Sequence, residues 1–270
     1  MRRTRVNATV FLGGGRITSA LVAGLCLAGY QEALVVHDRH PGKLRELNKR
    51  SGVIGEPDIH RAVARAHLLI IAVRPSSVAK LLSQIGPIHQ PVSAISLAAG
   101  IPLAKLRAQL GPPVRWARAM PSPVCRSGRG LTALTFDRAL PAGARREVRE
   151  FFARLGTILE IPEKKFDVFT ITYSSSHGYH ALQALAESAI ELGLDRRTAF
   201  MAAGHALADG IISWREEKIP LKNLLHEAAT PGGIAATVMD AMKSAGYRRA
   251  IERGLRAGLA RARANAHSKP

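Results

Sequence analysis

An α/β sheet region over residues 1–162 followed by an all-α region over residues 163–270 is the fold class this sequence predicts. Three observations carry it. Gly13-Gly14-Gly15 stand between an apolar strand-like run and an apolar helix-like run. Apolar segments then alternate between strand and helix periods over about the next 100 residues. From Phe166 to His267 strand signals give way to long helical stretches.

In order, Thr9-Val10-Phe11-Leu12 reads as a buried strand, and Ile17, Ala20, Leu21, Gly24 and Leu25 recur at helical spacing. Ala33 to His37 is a second strand, with a helix from near Pro41. A helix-strand step spans Ile59 to Val73, where His67 to Val73 has the continuous apolarity of a strand covered on both faces. Val78 to Ile85 is a helix, Ala94 to Ala98 a strand closing at Ala99-Gly100, and Leu103 to Leu110 a helix. Val114 to Met120 and Leu131 to Thr135 are late strands, before a helix from Ala142 to Leu155 and a short Thr157–Ile161 strand. The pattern is that of a doubly wound sheet ending near Pro162-Glu163-Lys164. Beyond it, helices are expected over Ala181–Leu192, Arg196–Trp214, Gly233–Ala245 and Gly246–Ala264, with Asn265 to Pro270 frayed.

Composition bounds the partners. The chain of 270 residues is 47% hydrophobic, enough for packed cores, and carries a net charge of +19. Arginines such as Arg61, Arg65, Arg107, Arg145, Arg146, Arg196 and Arg197 are dispersed, and 5% aromatic content offers no basic-aromatic interleaving, which argues against nucleic acid as a partner. No apolar run reaches the ~20 residues of a membrane span. Ala20 to Gly29 behind Arg2, Arg3 and Arg5 has the look of an export signal core, but it follows a strand and a glycine turn, so export is rejected. Cys26 and Cys125 are isolated, fit a reduced cytoplasmic setting, and form no metal-ligand spacing; Cys26 is expected to be buried in the first helix.

Candidate chemistry gathers at strand ends. Gly13 permits a tight turn and Gly15 a close backbone approach to a pyrophosphate at the positive end of the first helix, which begins with Arg16 and Ile17; an ordinary tight connection is the plainer reading. Thr18 and Ala20 stand where a third glycine is sought. At the end of the second strand Asp38 favours NAD by bonding a ribose hydroxyl, whereas Arg39 and His40 favour the extra phosphate of NADP; Asp38 also suits an ordinary turn. The basic pair tips the expectation to NADPH, with NADH as the alternative. Ala72-Val73-Arg74-Pro75 lies at a central strand's C-terminal edge, where Pro75 is expected to end the strand, and Arg74 is either a ligand group or a surface cation. Ala98-Ala99-Gly100 leaves room for a cofactor ring, or reflects tight packing. Thr230-Pro231-Gly232-Gly233 reads as a hydroxyl cap, a proline in the first turn and free amides able to bind a carboxylate; capping alone would need the same Thr and Pro.

Taken together these segments resemble the pyrroline-5-carboxylate reductase family nearly end to end. Phe11 to Gly15 is similar to the family's Ile-Gly-x-Gly-Asn-Met turn, Ala72 to Pro75 to Val-Lys-Pro, Ser96 to Ile101 to Ser-x-Ala-Ala-Gly-Val, Arg118 to Pro121 to Arg-x-Met-Pro, and Thr230 to Gly233 to Ser-Pro-Gly-Gly; Glu191 to Leu194 with its basic pair also matches. The resemblance implies a Rossmann-like N-terminal domain, an all-α C-terminal dimerisation domain, a homodimer or higher homo-oligomer, and an active site between the domains. It implies NAD(P)H-dependent reduction of a cyclic imine carboxylate in proline biosynthesis. Cofactor contacts are expected from Gly13, Gly15, Arg16, Ile17, Asp38, Arg39, Ala72, Val73, Arg74, Pro75 and Ala99. Substrate contacts are expected from Met120, Ser122, Ser175, Thr230, Gly232 and Gly233, with Ser175 and Thr230 closest to the chemistry and no metal.

The departures fall on the substrate side. The family's Met-Pro-Asn-Thr-Pro is Met120-Pro121-Ser122-Pro123-Val124 here, Gly-Ser-Gly-Pro-Ala-Tyr is Ser174-Ser175-Ser176-His177-Gly178-Tyr179, and the threonines after Ser-Pro-Gly-Gly are Ile234 and Ala235. Two alternatives follow: a reductase of another imine or oxo substrate, with His177, His180 or Tyr179 as proton donor, and a cofactor-binding regulatory protein without turnover. His177 and His180 are spaced like helix-face ligands without a third partner, so packing or capping is preferred over metal.

Overall fold

A computed structural model describes residues 8–217 and 219–267; Arg2, Arg3 and Arg5, and the last residues Ser268, Lys269 and Pro270, lie outside them. Eight strands form one sheet in the order β3-β2-β1-β4-β5-β6-β7-β8. They are β1 (Ala8–Leu12), β2 (Ala33–His37), β3 (Ile54–Gly55), β4 (Ala66–Ile71), β5 (Val92–Ser96), β6 (Val114–Pro121), β7 (Gly130–Phe136) and β8 (Gly156–Glu160). Helices α1 (Arg16–Leu27), α2 (Pro41–Ser51), α3 (Ile59–Ala64), α4 (Pro75–Ile85), α5 (Leu103–Gln109) and α6 (Ala142–Ala153) connect them, and α7 (Glu163–Thr172) follows β8.

The continuous apolar strands are sandwiched between two cores. Val10, Leu12, Leu69 and Ile71 face the layer that includes Val78, Leu82, Leu106 and Trp116. Their neighbours Phe11, Leu68 and Ile70 point the other way, onto Leu21, Leu25, Phe151 and Phe152. This alternation is the two-residue period of a strand. Each fully buried Leu, Ile or Phe contributes about 1.5–3 kcal/mol.

One pairing departs from the doubly wound pattern. β6 and β7 run antiparallel, with Ala119 opposite Leu134. Only a short link containing the 3₁₀ turn Pro123–Ser127 joins them. A parallel partner needs a crossover of about a dozen residues or more, so this link reverses the chain. The crossover through α6 then restores parallel pairing between β7 and β8.

Two sequence expectations are corrected here. Cys26 is exposed, because it stands in the last turn of α1 beyond the buried Leu21, Val22 and Leu25, where its Sγ reaches the Ser51 carbonyl (3.6 Å); Cys125 is the buried thiol, pushed up to about 11 by that burial. Pro75 does not end a strand: β4 stops at Ile71 and Pro75 is the first residue of α4, where its missing N–H has no intrahelical partner to lose.

The chain groups into two compact units, one running through Tyr173 and including the segment from Gly258 onward, the other Ser174–Ala257. The second contains α8 (Ser176–Glu191), α9 (Arg196–Glu217), α10 (Leu221–Ala228), α11 (Ile234–Ser244) and the start of α12 (Tyr247–His267). Helix α8 begins five residues before the expected Ala181, and α10 is an element the sequence pattern did not reveal. Among the described residues, the buried cluster of this second unit holds only the small residues Ala186, Ala199 and Ala203, while Leu192 is 89% and Ile234 86% exposed. Tyr179, Met201, Ile211 and Trp214 are exposed as well. Apolar surface on this scale marks an association face.

At the opposite sheet edge from the glycine turn, the Tyr30 hydroxyl bonds Thr9 Oγ1 (2.8 Å) and donates to Glu32 (3.1 Å), and burial pushes its phenol up to about 12. His67 Nε2 sits 3.1 Å from carboxylate oxygens of both Glu32 and Glu147. The Glu147 hydrogen bond, opposed by partial burial and aided by the Glu32 charge, raises the imidazole above its ordinary value. A raised folded value stabilises the protein below the unfolded pKa and is lost as pH rises through the folded one. His67→Leu is therefore expected to lower the unfolding free energy read from urea titration at about pH 6, by at most about 1 kcal/mol for so solvent-accessible a cluster, with the gap narrowing towards about pH 9. A pH-independent gap contradicts the ion-pair assignment.

Candidate active site

The strand ladder continues past the strand ends to align a row of backbone on one sheet edge. Gly13 N–H donates to the His37 carbonyl (2.8 Å), Ala72 N–H to Leu12 (2.9 Å) and Leu97 N–H to Ile71 (3.0 Å). The C-terminal ends of β1, β2, β4 and β5 thus meet. Gly13, with φ +114°, fits only because it lacks a Cβ, which would stand 2.7 Å from the Ala72 carbonyl oxygen. Gly15 is the opposite case: it is the N-cap of α1, and a Cβ there would touch nothing within 4 Å.

Two side chains brace the turn. Thr18, fully buried, donates its hydroxyl to the Gly13 carbonyl. Asp38 accepts the Gly14 N–H on one oxygen (2.8 Å) and the His40 N–H on the other (2.9 Å), with Lys43 Nζ 3.7 Å away. Burial opposes ionisation, but the His40 and Gly14 amides and then Lys43 prevail and hold the carboxyl below its usual range. The carboxylate is therefore an anchor for the turn, and the groups left projecting at the end of β2 are the exposed Arg39 and His40. Arg16 is exposed in the first turn of α1, and Ile17 packs against the core beneath it.

Ala72 and Val73 are half-buried on the β4 side of the turn, followed by exposed Arg74 as the N-cap of α4. Ala99 is half-buried beyond β5. Met120 and Ser122 lie at the end of β6 on the same sheet edge, and the Ser122 hydroxyl is buried with no hydrogen-bond partner among the described residues. All eleven residues expected to touch cofactor, with Met120 and Ser122, thus share one edge of the sheet.

Arg118 is a side chain whose role the sequence did not reveal. It is 1% exposed in β6, donates to Asp167 (2.7 Å), lies 3.7 Å from Glu163 and stacks over Phe166 at 4.4 Å. Glu163 in turn accepts the Leu103 N–H (2.6 Å) at the start of α5. The arginine ties α7 to the sheet directly behind Met120. An arginine inside an apolar strand, with acids spaced one helical turn apart at Glu163 and Asp167, was the available signal.

The remaining expected residues belong to the helical unit. Ser175 is the exposed N-cap of α8, with its carbonyl rather than its hydroxyl engaged, by Tyr179 N–H (3.1 Å); Ser174 and Ser176 pair through their hydroxyls (2.7 Å). His177, Tyr179 and His180 fall in the first turns of α8, and no group of three metal-ligating residues exists among the described residues. The expected hydroxyl cap at Thr230 is corrected. Helix α11 begins at Ile234 with Gly233 as N-cap and no side-chain cap. Gly233 N–H donates to the Thr230 carbonyl (2.9 Å), and Gly232 has φ +76°. Pro231-Gly232 therefore forms the centre of a turn ahead of the helix, a placement suited to proline followed by glycine. Thr230, Gly232 and Gly233 remain together at the helix entrance, where the first amides are free.

A mostly parallel sheet with a braced glycine turn leading into α1 defines a dinucleotide-binding unit of the Rossmann class, here followed by a helical region. Residues 9–100 match the family model described as NADP oxidoreductase coenzyme F420-dependent, and residues 163–265 the model for pyrroline-5-carboxylate reductase dimerisation. A pyrroline-5-carboxylate reductase of Thermus thermophilus is 31% identical over 257 residues, covering 93% of this chain and 95% of the relative. One from Corynebacterium melassecola is 29% identical, covering 91% and 94%. Among solved structures, the Plasmodium falciparum pyrroline carboxylate reductase with NADP bound is similar with TM-score 0.86 and 19% identity, covering 97% of this chain and 98% of that one. The chain belongs to the pyrroline-5-carboxylate reductase family. No helix among the described residues is long and apolar enough to cross a membrane.

The two glycines make different predictions. Gly13→Ala drives a Cβ into the Ala72 carbonyl and is expected to destabilise the fold by roughly 1–3 kcal/mol, seen as a lower melting temperature. Gly15→Val sets its Cβ where no protein atom lies within 4 Å, so melting should stay near wild type while NADPH binding, followed by nucleotide fluorescence, falls beyond detection. Unchanged affinity in Gly15→Val would contradict the placement of the phosphate turn.

Proposed function

We propose that this protein is an NAD(P)H-dependent reductase that converts a cyclic imine carboxylate, pyrroline-5-carboxylate, to proline. The observation that carries the reading is the open space at Gly15 beside a turn held rigid by Asp38 and Thr18, in a chain whose relatives bear that enzyme's name. A turn braced by two side chains with unobstructed N–H groups at a helix start is suited to a pyrophosphate.

When bound, the nicotinamide supplies a hydride. The chain's own residues bind and orient. Gly13, Gly15, Arg16 and Ile17 form the phosphate turn, and Arg39 offers positive charge and His40 a ring nitrogen to a ribose phosphate, favouring NADPH over NADH. A related structure was solved with NADP. Asp38 holds the turn in shape. Ala72, Val73, Arg74, Pro75 and Ala99 form the strand-end shelf for the ring. In the helical unit Thr230, Gly232 and Gly233 form the turn ahead of α11, whose first amides offer the substrate carboxylate N–H groups, and Ser175 is a further contact there; in the sheet unit Met120 and Ser122 are the substrate contacts. The proton at nitrogen comes from the protonated imine or from solvent, so no buried side-chain acid is required.

The exposed apolar helices of the second unit are covered in this reading by another copy of the chain, as a homodimer or larger homo-oligomer, in keeping with the dimerisation model matched from residue 163. We therefore keep the functional division at 1–162 and 163–270. Two unpaired cysteines suit the reducing cytoplasm. A second reading, a retuned substrate pocket, is favoured by one observation: Ile234, 86% exposed, presents a bare apolar side chain at the first position of α11 where the family carries a hydroxyl.

Oxidation of NADPH and NADH by purified protein, with pyrroline-5-carboxylate and then a six-membered cyclic imine carboxylate, tests this. The expected result is turnover of pyrroline-5-carboxylate with the lower KM for NADPH. Turnover of only the six-membered ring establishes the retuned pocket, and cofactor binding without turnover of either overturns the proposed reaction.

A further inference from the structure

The loop between β5 and α5 carries Ala99, and it is held from outside the sheet by the far end of the chain's last helix. Asn265 Nδ2 donates to the Ala99 carbonyl (3.4 Å), and Lys105 Nζ donates to the Ala266 carbonyl (3.0 Å), which lies in the last turn of α12. Gly100, at φ +76°, is pressed so closely on this helix that a Cβ would stand 2.3 Å from the Ala262 carbonyl oxygen. Ala262 is itself buried. On its other flank the loop is fixed by Leu103 N–H to Glu163 and by Ala98 N–H to the Ser96 hydroxyl (3.3 Å).

We propose that Asn265 is a positioning residue: it fixes the Ala99 carbonyl, and through it the backbone of Ala98-Ala99-Gly100 against which the nicotinamide rests, so that the end of α12 completes the cofactor half of the site. This rests on the proposed reductase function for its cofactor, but not for the clamp itself. The loop has no strand ladder beyond Leu97; Ala98 and Ile101 are packed into the core, but half-buried Ala99 between them carries only a methyl group, and Asn265 is the side chain that takes up its carbonyl. Asn265 supplies a donor to the residue expected under the ring, and Lys105 satisfies an end carbonyl of the helix that brings Asn265 there. A helix that merely packed on the sheet would need neither contact.

The test compares wild type, Asn265→Asp and Asn265→Gln, read first by hydrogen exchange without nucleotide. Asp removes the donor and sets an acceptor against the Ala99 carbonyl, whereas Gln keeps a donor. In Asn265→Asp, exchange across residues 98–103 is expected to rise about fivefold, the scale of one lost hydrogen bond, with melting within about 2 °C of wild type. NADPH Kd should rise about fivefold and kcat fall by at least as much, and Gln should recover most of both. Loop exchange unchanged in Asn265→Asp, or altered only in residues 258–267, overturns the proposal. If the Asp variant does not fold, Asn265→Ala, which only deletes the donor, is read by the same criteria. A wild-type chain that binds no NADPH overturns the reductase reading and the cofactor role together; normal NADPH binding with an unresponsive loop overturns this inference alone.

Discussion

Gly13 and the Ala72 carbonyl cannot be separated by a side chain, and the cofactor edge of the molecule is built around that contact. β1 and β4 are neighbours in the sheet, so the chain leaving β1 must cross over the end of β4 to enter α1, and there is no room for a Cβ on the way. Once Gly13 takes that path, its carbonyl faces Thr18 and the next amide faces Asp38. The turn is thus held by two part-buried hydrogen bonds and leaves the following backbone at Gly15 unobstructed. Asp38 links this turn to the end of β2, so the glycines and the basic pair Arg39-His40 are held as one piece of structure.

A second constraint works further along the same edge. Burying the Arg118 guanidinium demands compensation, which Asp167, Glu163 and the Phe166 ring supply. Because those three residues lie on α7, neutralising one arginine also docks the helix that leaves the sheet. Glu163 extends the arrangement to the first amide of α5, on the far side of the Ala99 loop. The loop that lacks strand pairing of its own is therefore bounded by charge on one flank and by the end of α12 on the other. The helical unit shows the contrary economy: its helices meet through alanines and leave leucine, isoleucine and tryptophan outside, a surface composed for a partner rather than for water.

Much of the sheet was legible in the sequence because it is covered on both faces, so β1, β2 and β4 appear as nearly continuous apolar runs. Ile54–Gly55 is too short to carry any period, and the direction of β7 depends on the length of the Ser122–Arg129 link, which hydrophobicity does not encode. Helix α10 is only eight residues long between Pro220 and Ala229, about two turns, and α8 starts in a serine, histidine and glycine segment that lacks helix-forming residues. Thr-Pro-Gly-Gly was ambiguous, since the same letters serve a helix cap and a turn, and only the positive φ of Gly232 decides for the turn. The roles of Thr18, Arg118 and Asn265 are set by partners distant in sequence or by a backbone carbonyl, and neither leaves a periodic trace.

The central claim is that this sheet edge holds a nicotinamide whose hydride passes to the carbon of a cyclic imine. NADPH deuterated at its transferable position, incubated with the protein and pyrroline-5-carboxylate, tests it most directly by mass spectrometry and NMR of the product. The account predicts proline carrying one deuterium on the former imine carbon and an equal amount of NADP⁺. Unlabelled product, or label appearing in water with no proline formed, would contradict it.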